Sequence, residues 1–307
     1  MKKVGFLYSD VYLSHRTPQG HPESPERLRA IVEGINRSEL AGLLLPIPPE
    51  KASFEDIERV HTHEYIERIK GAGPGYLDPD TYLSEGTLEA SLLAAGAVIK
   101  AVDACREGVV ERAFCAVRPP GHHAEAGRAM GFCIFNNVAS GARYAQGIGY
   151  RRVFIVDFDV HHGNGTEHIF YEDDSVFYFS THQYPHYPGT GGENERGSAK
   201  GEGFTYNIPM PYGSGDEEYR HAYGETLHEL VSSFSPDIIL VSAGYDLHAR
   251  DPLAGIMVTD GGIRDIVRGI LTSGKDVPYV FVLEGGYDLT ALSGSVIITL
   301  DEMLESA

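Results

Sequence analysis

The feature that most constrains this 307-residue chain is a set of short, continuously apolar runs separated by segments of helical length. The runs fall at roughly 3–8, 112–117, 152–158, 175–180, 237–243 and 278–283. Unbroken apolar character, without alternation, suits parallel strands covered on both faces. Between them, helical periodicity marks 25–37, 84–107, 136–147, 216–234, 260–273 and 288–305. Ser24 stands as an N-cap for the first of these, with Pro25 at its first helical position. Strand-like and helix-like segments that alternate in this way predict an α/β chain with an open parallel sheet flanked by helices. No long linker, repeat or low-complexity tract divides it, and α/β sheets often reach this length as one unit, so a single domain over 1–307 is expected. The Pro/Asp-rich stretch 71–82 and the Gly-rich stretch 189–203 read as surface loops.

Reactive side chains gather where these strands end. Asp157 to His162 follow one run, His122 and His123 another, Asp246 a third, and Glu284 to Tyr287 a fourth. Open parallel sheets bind ligands in the crevice outside the carboxyl ends of their strands, which points to one shared site. Asp157, Asp159 and His161 are spaced by two, and in an extended chain such residues share a face. Two carboxylates and an imidazole there invite a divalent cation: the set suits zinc, and also iron(II) or cobalt(II). A further ligand from Asp246 would leave a coordination position open, as catalysis requires. The Pro-Pro-Gly turn before His122 and His123 would project two imidazoles toward that metal, able to take and return a proton near neutral pH. Gly285 and Gly286 allow a tight turn that presents the Tyr287 phenol as an oxyanion donor.

Charge and cysteines narrow the function classes. The formal net charge of −19 argues against a nucleic-acid binder, which needs a basic footprint. It favours a cationic partner such as a lysine-rich protein or a polyamine, although acidity also serves solubility alone. Cys105, Cys115 and Cys133 are odd in number and far apart, as expected in a reducing compartment, and no Cys-x-x-Cys offers a thiolate zinc site. The apolar run after Lys2 and Lys3 is too short for a signal peptide, and no run reaches the length of a membrane span. A cytoplasmic protein without membrane contact is expected.

Taken together, the motifs resemble the histone deacetylase family, within the arginase–deacetylase fold. They are H-P-E-S-P-E-R-L at 21–28, R-P-P-G-H-H-A at 118–124, G-F-C-I-F-N-N at 131–137, D-F-D-V-H-H-G-N-G-T at 157–166, P-G-T-G at 188–191, S-A-G-Y-D at 242–246 and L-E-G-G-Y at 283–287. They follow the family's order along nearly the whole chain, and the first motif, Asn164 and the E-G-G-Y form look like the class II branch and its prokaryotic relatives. The resemblance implies that Asp159, His161 and Asp246 bind zinc. It implies that His123 is the general base and then acid, oriented by Asn164, where class I members have Asp. His122 would be its electrostatic partner, held by Asp157, and Tyr287 would polarise the acetyl carbonyl. Phe132 and Tyr187 would wall a narrow channel, and Asp80 would grip the substrate backbone at its rim. A structural potassium ion would be held, partly through backbone carbonyls, at Asp157, Asp159, His161 and Ser180, and more loosely at Phe170 and Val176.

These roles describe metal-assisted hydrolysis of an acetylated amine, an acetylated lysine side chain or an acetylated polyamine. A polyamine-selective class II relative places a glutamate near the channel mouth; the matching residue here is Leu253, and no loop is inserted near 15–25. That leans toward acetyl-lysine or another acyl amine. An arginase-like site with two manganese ions needs D-x-H-x-D and D-x-D, but Gly163 and His248 stand at the positions required. A non-catalytic acetyl-lysine binder should have lost a ligand, His123 or Tyr287, and all are present.

Overall fold

The apolar runs form strands that lie side by side. In the computed structural model, which describes residues 2–305, the strands are β1 (Val4–Leu7), β2 (Leu45–Pro46), β3 (Gly75–Tyr76), β4 (Tyr82–Leu83), β5 (Arg112–Cys115), β6 (Val153–Asp157), β7 (Val176–Gln183), β8 (Thr205–Met210), β9 (Ile238–Ala243) and β10 (Tyr279–Leu283). Eight of them make one sheet in the order β2-β1-β5-β10-β9-β6-β7-β8, and every pairing is parallel. Each residue of β5, β10, β9, β6 and β7 is buried, which is why their sequences run apolar residues together rather than alternating, with polar residues gathered at strand ends such as Asp157 and Ser180 to Gln183. Phe154 of β6 stacks on Phe177 of β7 with ring centroids 4.8 Å apart. Burying such a side chain stabilises the fold by about 1.5–3 kcal/mol.

The helices are α1 (Glu26–Arg37), α2 (Phe54–Glu58), α3 (His63–Gly71), α4 (Thr87–Arg106), α5 (Asn137–Gly147), α6 (Asn164–Phe170), α7 (Asp216–His221), α8 (Leu227–Phe234), α9 (Asp260–Ser273) and α10 (Leu289–Glu305). They flank the sheet: α4 and α5 pack together over β5, β10, β9 and β6, while α10 packs with α1 and α9. This is the single-domain α/β architecture anticipated, with differences that have physical causes. The helix expected at 216–234 is interrupted by a π-helical turn at Ala222–Thr226 between α7 and α8. At α1 the Ser24 hydroxyl makes no cap; Pro25 occupies the cap position and the Ser24 carbonyl accepts from Arg27 N at 3.1 Å. The stretch 71–82 is not wholly irregular, because β3 pairs with β4 in a small antiparallel hairpin.

The four strands whose ends carry reactive groups, β5, β10, β9 and β6, are consecutive neighbours at the middle of the sheet. That adjacency brings residues from positions 122, 157, 246 and 284 to one rim.

Candidate active site

The acidic end of β6 supplies the centre. The strand stops at Asp157, so Asp157 and Asp159 do not share a face as the spacing of two suggested. Asp157 turns its carboxylate beneath the site, where Oδ2 accepts from His122 Nδ1 and from the Tyr178 hydroxyl, each at 3.1 Å. Asp159 instead faces Asp246 and His161, and ligand atoms of these three lie within 4.8 Å of one another. His161 Nδ1 sits 3.2 Å from Asp159 Oδ1 and 3.1 Å from Asp246 Oδ2. Main-chain donors aim the carboxylates: Gly285 N to Asp159 Oδ2 at 2.7 Å and Val160 N to Asp246 Oδ1 at 3.0 Å.

Electrostatics in this cluster calls for a cation. Burial lowers the affinity of His161 for a proton, yet Asp159 and Asp246 outweigh it and push its pKa up to about 10. Burial and the neighbouring Asp159 carboxylate hold Asp246 above the ordinary range. A proton on His161 Nδ1 therefore stands where a metal would neutralise both carboxylates. Two carboxylates and one imidazole, converging and buried, fit a zinc or iron(II) ion with a position left for substrate.

Two imidazoles lie beside the cluster with different surroundings. His122 and His123 have ring centroids 4.0 Å apart. Their loop is fastened by Glu284, whose Oε2 accepts from Gly121 N at 2.7 Å and His122 N at 3.2 Å, and by Thr166 N, which donates to His122 O at 3.1 Å. Burial works against a charge on His122, but Asp157 and Asp159 raise its pKa to about 10. His123 is pulled the other way: burial, then the adjacent His122 and His161, hold it well below the ordinary imidazole range. Its Nδ1 lies 2.8 Å from Asn164 Oδ1. One imidazole is thus cationic and its neighbour neutral, a division that suits electrostatic support and proton acceptance.

A narrow cavity of about 100 Å³ opens over these groups. Asp80, His122, His123, Phe132, His161, Tyr187, Leu253 and Tyr287 all line it. Phe132 holds a left-handed backbone (φ 67°), unusual for an aromatic residue, and its N–H donates to Thr81 Oγ1 at 3.0 Å. The Phe132 and Tyr287 rings meet edge to face, with centroids 5.9 Å apart, and Tyr187 packs edge-on against His123 at 5.2 Å. Burial and then Asp246 keep the Tyr287 phenol protonated by raising its pKa.

The potassium set divides. Asp157 pairs with Ser180 in the β6–β7 register, whereas Val176 pairs with Val153 four residues earlier, about 13 Å away along the strand. Ser180 is thus close to Asp157, while Val176 lies toward the opposite end of β7, and Phe170 ends α6 with Arg143 stacked over its ring.

Sequence reasoning passed over the residues that hold the loops of the site. Glu23, fully buried, pairs with Arg118 and Arg27, and Arg27 donates to Gly286 O and Glu284 O. Asp251 accepts from Tyr287 N at 2.6 Å and from Leu253 N at 3.0 Å, tying both to one carboxylate. Glu125 accepts from Asn164 Nδ2 at 2.8 Å. The signal was present for Glu23 and Arg118, which are charged residues inside H-P-E-S-P-E-R-L and R-P-P. Nothing in the linear pattern joins Asp251 to Tyr287.

Comparison with known proteins agrees with this geometry. A family profile described as the histone deacetylase domain matches residues 21–303. The chain is 47% identical over 296 residues to a probable deacetylase of Methanothermobacter thermautotrophicus, covering 94% of this chain and 87% of that protein. It is 41% identical over 296 residues to a probable deacetylase of Archaeoglobus fulgidus, covering 93% and 82%. The crystal structure of the HDA15 HD domain superposes with a TM-score of 0.95 at 36% identity, covering all of this chain and 89% of that one.

Proposed function

The chain belongs to the histone deacetylase family, and from that premise we propose that it is a zinc-dependent deacetylase hydrolysing the amide of an acetylated lysine side chain. The observation that carries this reading is convergence: Asp159, His161 and Asp246 bring ligand atoms together, and His161 lines a cavity with His123 and Tyr287.

When bound, the zinc or iron(II) ion polarises the acetyl carbonyl and acidifies the attacking water. His123 takes the proton from that water as its oxygen bonds to the carbonyl carbon. Protonated on Nδ1 by its contact with Asn164, the ring has Nε2 free for this step. The Tyr287 hydroxyl donates to the oxygen that becomes negative. His122, kept cationic by Asp157, offsets the same charge. His123 then returns the proton to the amine nitrogen as the carbon–nitrogen bond breaks, releasing acetate and a free amine. Phe132 and Tyr187 form walls that accept an aliphatic stem, and Asp80, half-buried at the mouth, accepts from the substrate main chain. A potassium ion at Asp157, Asp159, His161 and Ser180, held partly by backbone carbonyls, would belong to the same reading.

Leu253 on the cavity wall supports acetyl-lysine over an acetylpolyamine, because it offers a distant ammonium no counter-charge. The test is acetate release from an acetyl-lysine peptide and from acetylputrescine by zinc-loaded protein, with and without a hydroxamate chelator. Chelator-sensitive release from the peptide is expected. Release from acetylputrescine alone would overturn the substrate. No release from either, with zinc bound, would overturn the deacetylase reading in favour of another acyl group or a non-catalytic binder.

A further inference from the structure

The contact between His123 and Asn164 leaves an ambiguity that a third residue removes. An imidazole Nδ1 can donate to an amide oxygen or accept from an amide nitrogen, and the two ends of an asparagine side chain have nearly the same shape. Turned one way, Asn164 accepts from His123 Nδ1–H and leaves Nε2 free. Turned the other way, it donates to Nδ1, the ring proton moves to Nε2, and His123 can no longer accept a proton there.

Asn164 Nδ2 lies 2.8 Å from Glu125 Oε1 and 3.3 Å from Met130 Sδ. A carboxylate accepts only, and a thioether is a weak acceptor with nothing to donate. Both amide hydrogens therefore have partners in the observed orientation. Reversal would set Asn164 Oδ1 against the Glu125 carboxylate. Glu125 is itself held: Arg128 donates to Oε1 at 2.9 Å, His168 Nδ1 lies 3.0 Å from Oε2, its main chain exchanges bonds with that of Arg128, and its carbonyl accepts from His61 Nδ1. Burial favours the neutral acid, but His168 and Arg128 prevail and hold its pKa down to about 2, so it is ionised near neutral pH.

We infer that Glu125 is a positioning residue for the general base, fixing the orientation of the Asn164 amide and through it the tautomer of His123. The inference rests on the deacetylase reading for its effect on rate. It also explains how a neutral asparagine can serve at position 164. An aspartate there would accept from His123 in either orientation, whereas an asparagine needs an acceptor behind it.

The test uses Glu125→Leu, and Glu125→Leu combined with Asn164→Asp. The tautomer is read from ¹⁵N shifts of histidine-labelled, metal-free protein, with the His123 signals assigned by their loss in His123→Ala. In Glu125→Leu the Nε2–H form of His123 should become populated. The same variant, zinc-loaded, should lose about 10- to 100-fold in kcat, within what a general base contributes, with KM changed less than twofold. Adding Asn164→Asp should restore the Nδ1–H form and most of kcat, a recovery that general damage to the fold would not show. A Glu125→Leu protein that keeps the wild-type tautomer, turns over at the wild-type rate, or is not restored by Asn164→Asp overturns the inference. An inactive wild type overturns the deacetylase reading instead, and the imidazole spectrum then still decides whether Glu125 sets the tautomer.

Discussion

Tyr287 illustrates how much one side chain can be asked to do. Its ring is fixed between Phe132 and the Arg27 guanidinium, 5.0 Å from the ring centre, and its main-chain N–H is bound by Asp251. Removing the hydroxyl in Tyr287→Phe leaves these contacts in place and takes away only the donor. An oxyanion donor is worth about 10²–10³ in rate. Tyr287→Phe should therefore lower kcat by about that factor while binding one metal per chain as before, measured by steady-state kinetics beside metal analysis. Equal activity would remove Tyr287 from the chemistry. At this scale the sequence was readable where residue type alone carries meaning: Asp159, His161, Asp246 and the His122–His123 pair stand out because metal and proton chemistry needs those groups. It was not readable where meaning depends on a partner across the fold. Asp157 and Asp159 look equivalent in the chain, yet the end of β6 between them sends one to His122 and the other toward His161 and Asp246.

The elements explain why the strand ends are glycine-rich. A Cβ on Gly285 would overlap the carboxylates of Asp246 and Asp159, and one on Gly244 would overlap Asp159 as well. The loops after β10 and β9 thus lie so close to the cluster that the carboxylates occupy the space a side chain would fill. Gly285→Ala should displace both ligands with the sheet intact. Metal affinity should fall by at least the 10- to 100-fold seen when a ligand loses its support, read by competition with a chelator, while far-ultraviolet circular dichroism stays unchanged. Unaltered affinity would show that the carboxylates have room to shift. The central strands were legible because burial on both faces gives each of them a continuous apolar run. The edges were not. β2 has two residues, and β8 reads T-Y-N-I-P-M, with mixed polarity and a proline that only an edge position tolerates. α6, seven residues long, begins inside the Asp157–Gly165 motif and has no apolar period of its own to announce it.

At the scale of the whole molecule, stability is tied to histidines buried in neutral form. His61 donates from Nδ1 to Glu125 O at 3.0 Å and accepts from Asn136 N at 2.9 Å, so both nitrogens are used with one proton. His182 lies 2.8 Å from Gly191 O through Nε2 and 2.9 Å from Ser180 Oγ through Nδ1. Burial lowers their pKa values to about 4 and about 3. Both folded values lie below the unfolded value near 6.5, so the unfolded chain binds more protons in between. Their stabilisation is complete above about pH 6.5 and is lost as pH falls toward 4 and then 3. Each contributes a slope of about 1.4 kcal/mol per pH unit in that window. Glu23 adds to the acid side. Burial raises its pKa, but Arg118 and His15 lower it more, so its contribution is lost only as pH falls below the ordinary carboxylate range. The net charge of −19 acts oppositely, since protonation relieves self-repulsion, but that term is screened by salt and the buried imidazoles are not. Denaturant unfolding at fixed ionic strength should therefore show stability falling between pH 6.5 and 5, before most carboxylates titrate. His61→Gln can keep both hydrogen bonds without a titrating group, and it should reduce the slope by about one proton. A slope unchanged in that variant would mean that His61 is not the group that acid must charge.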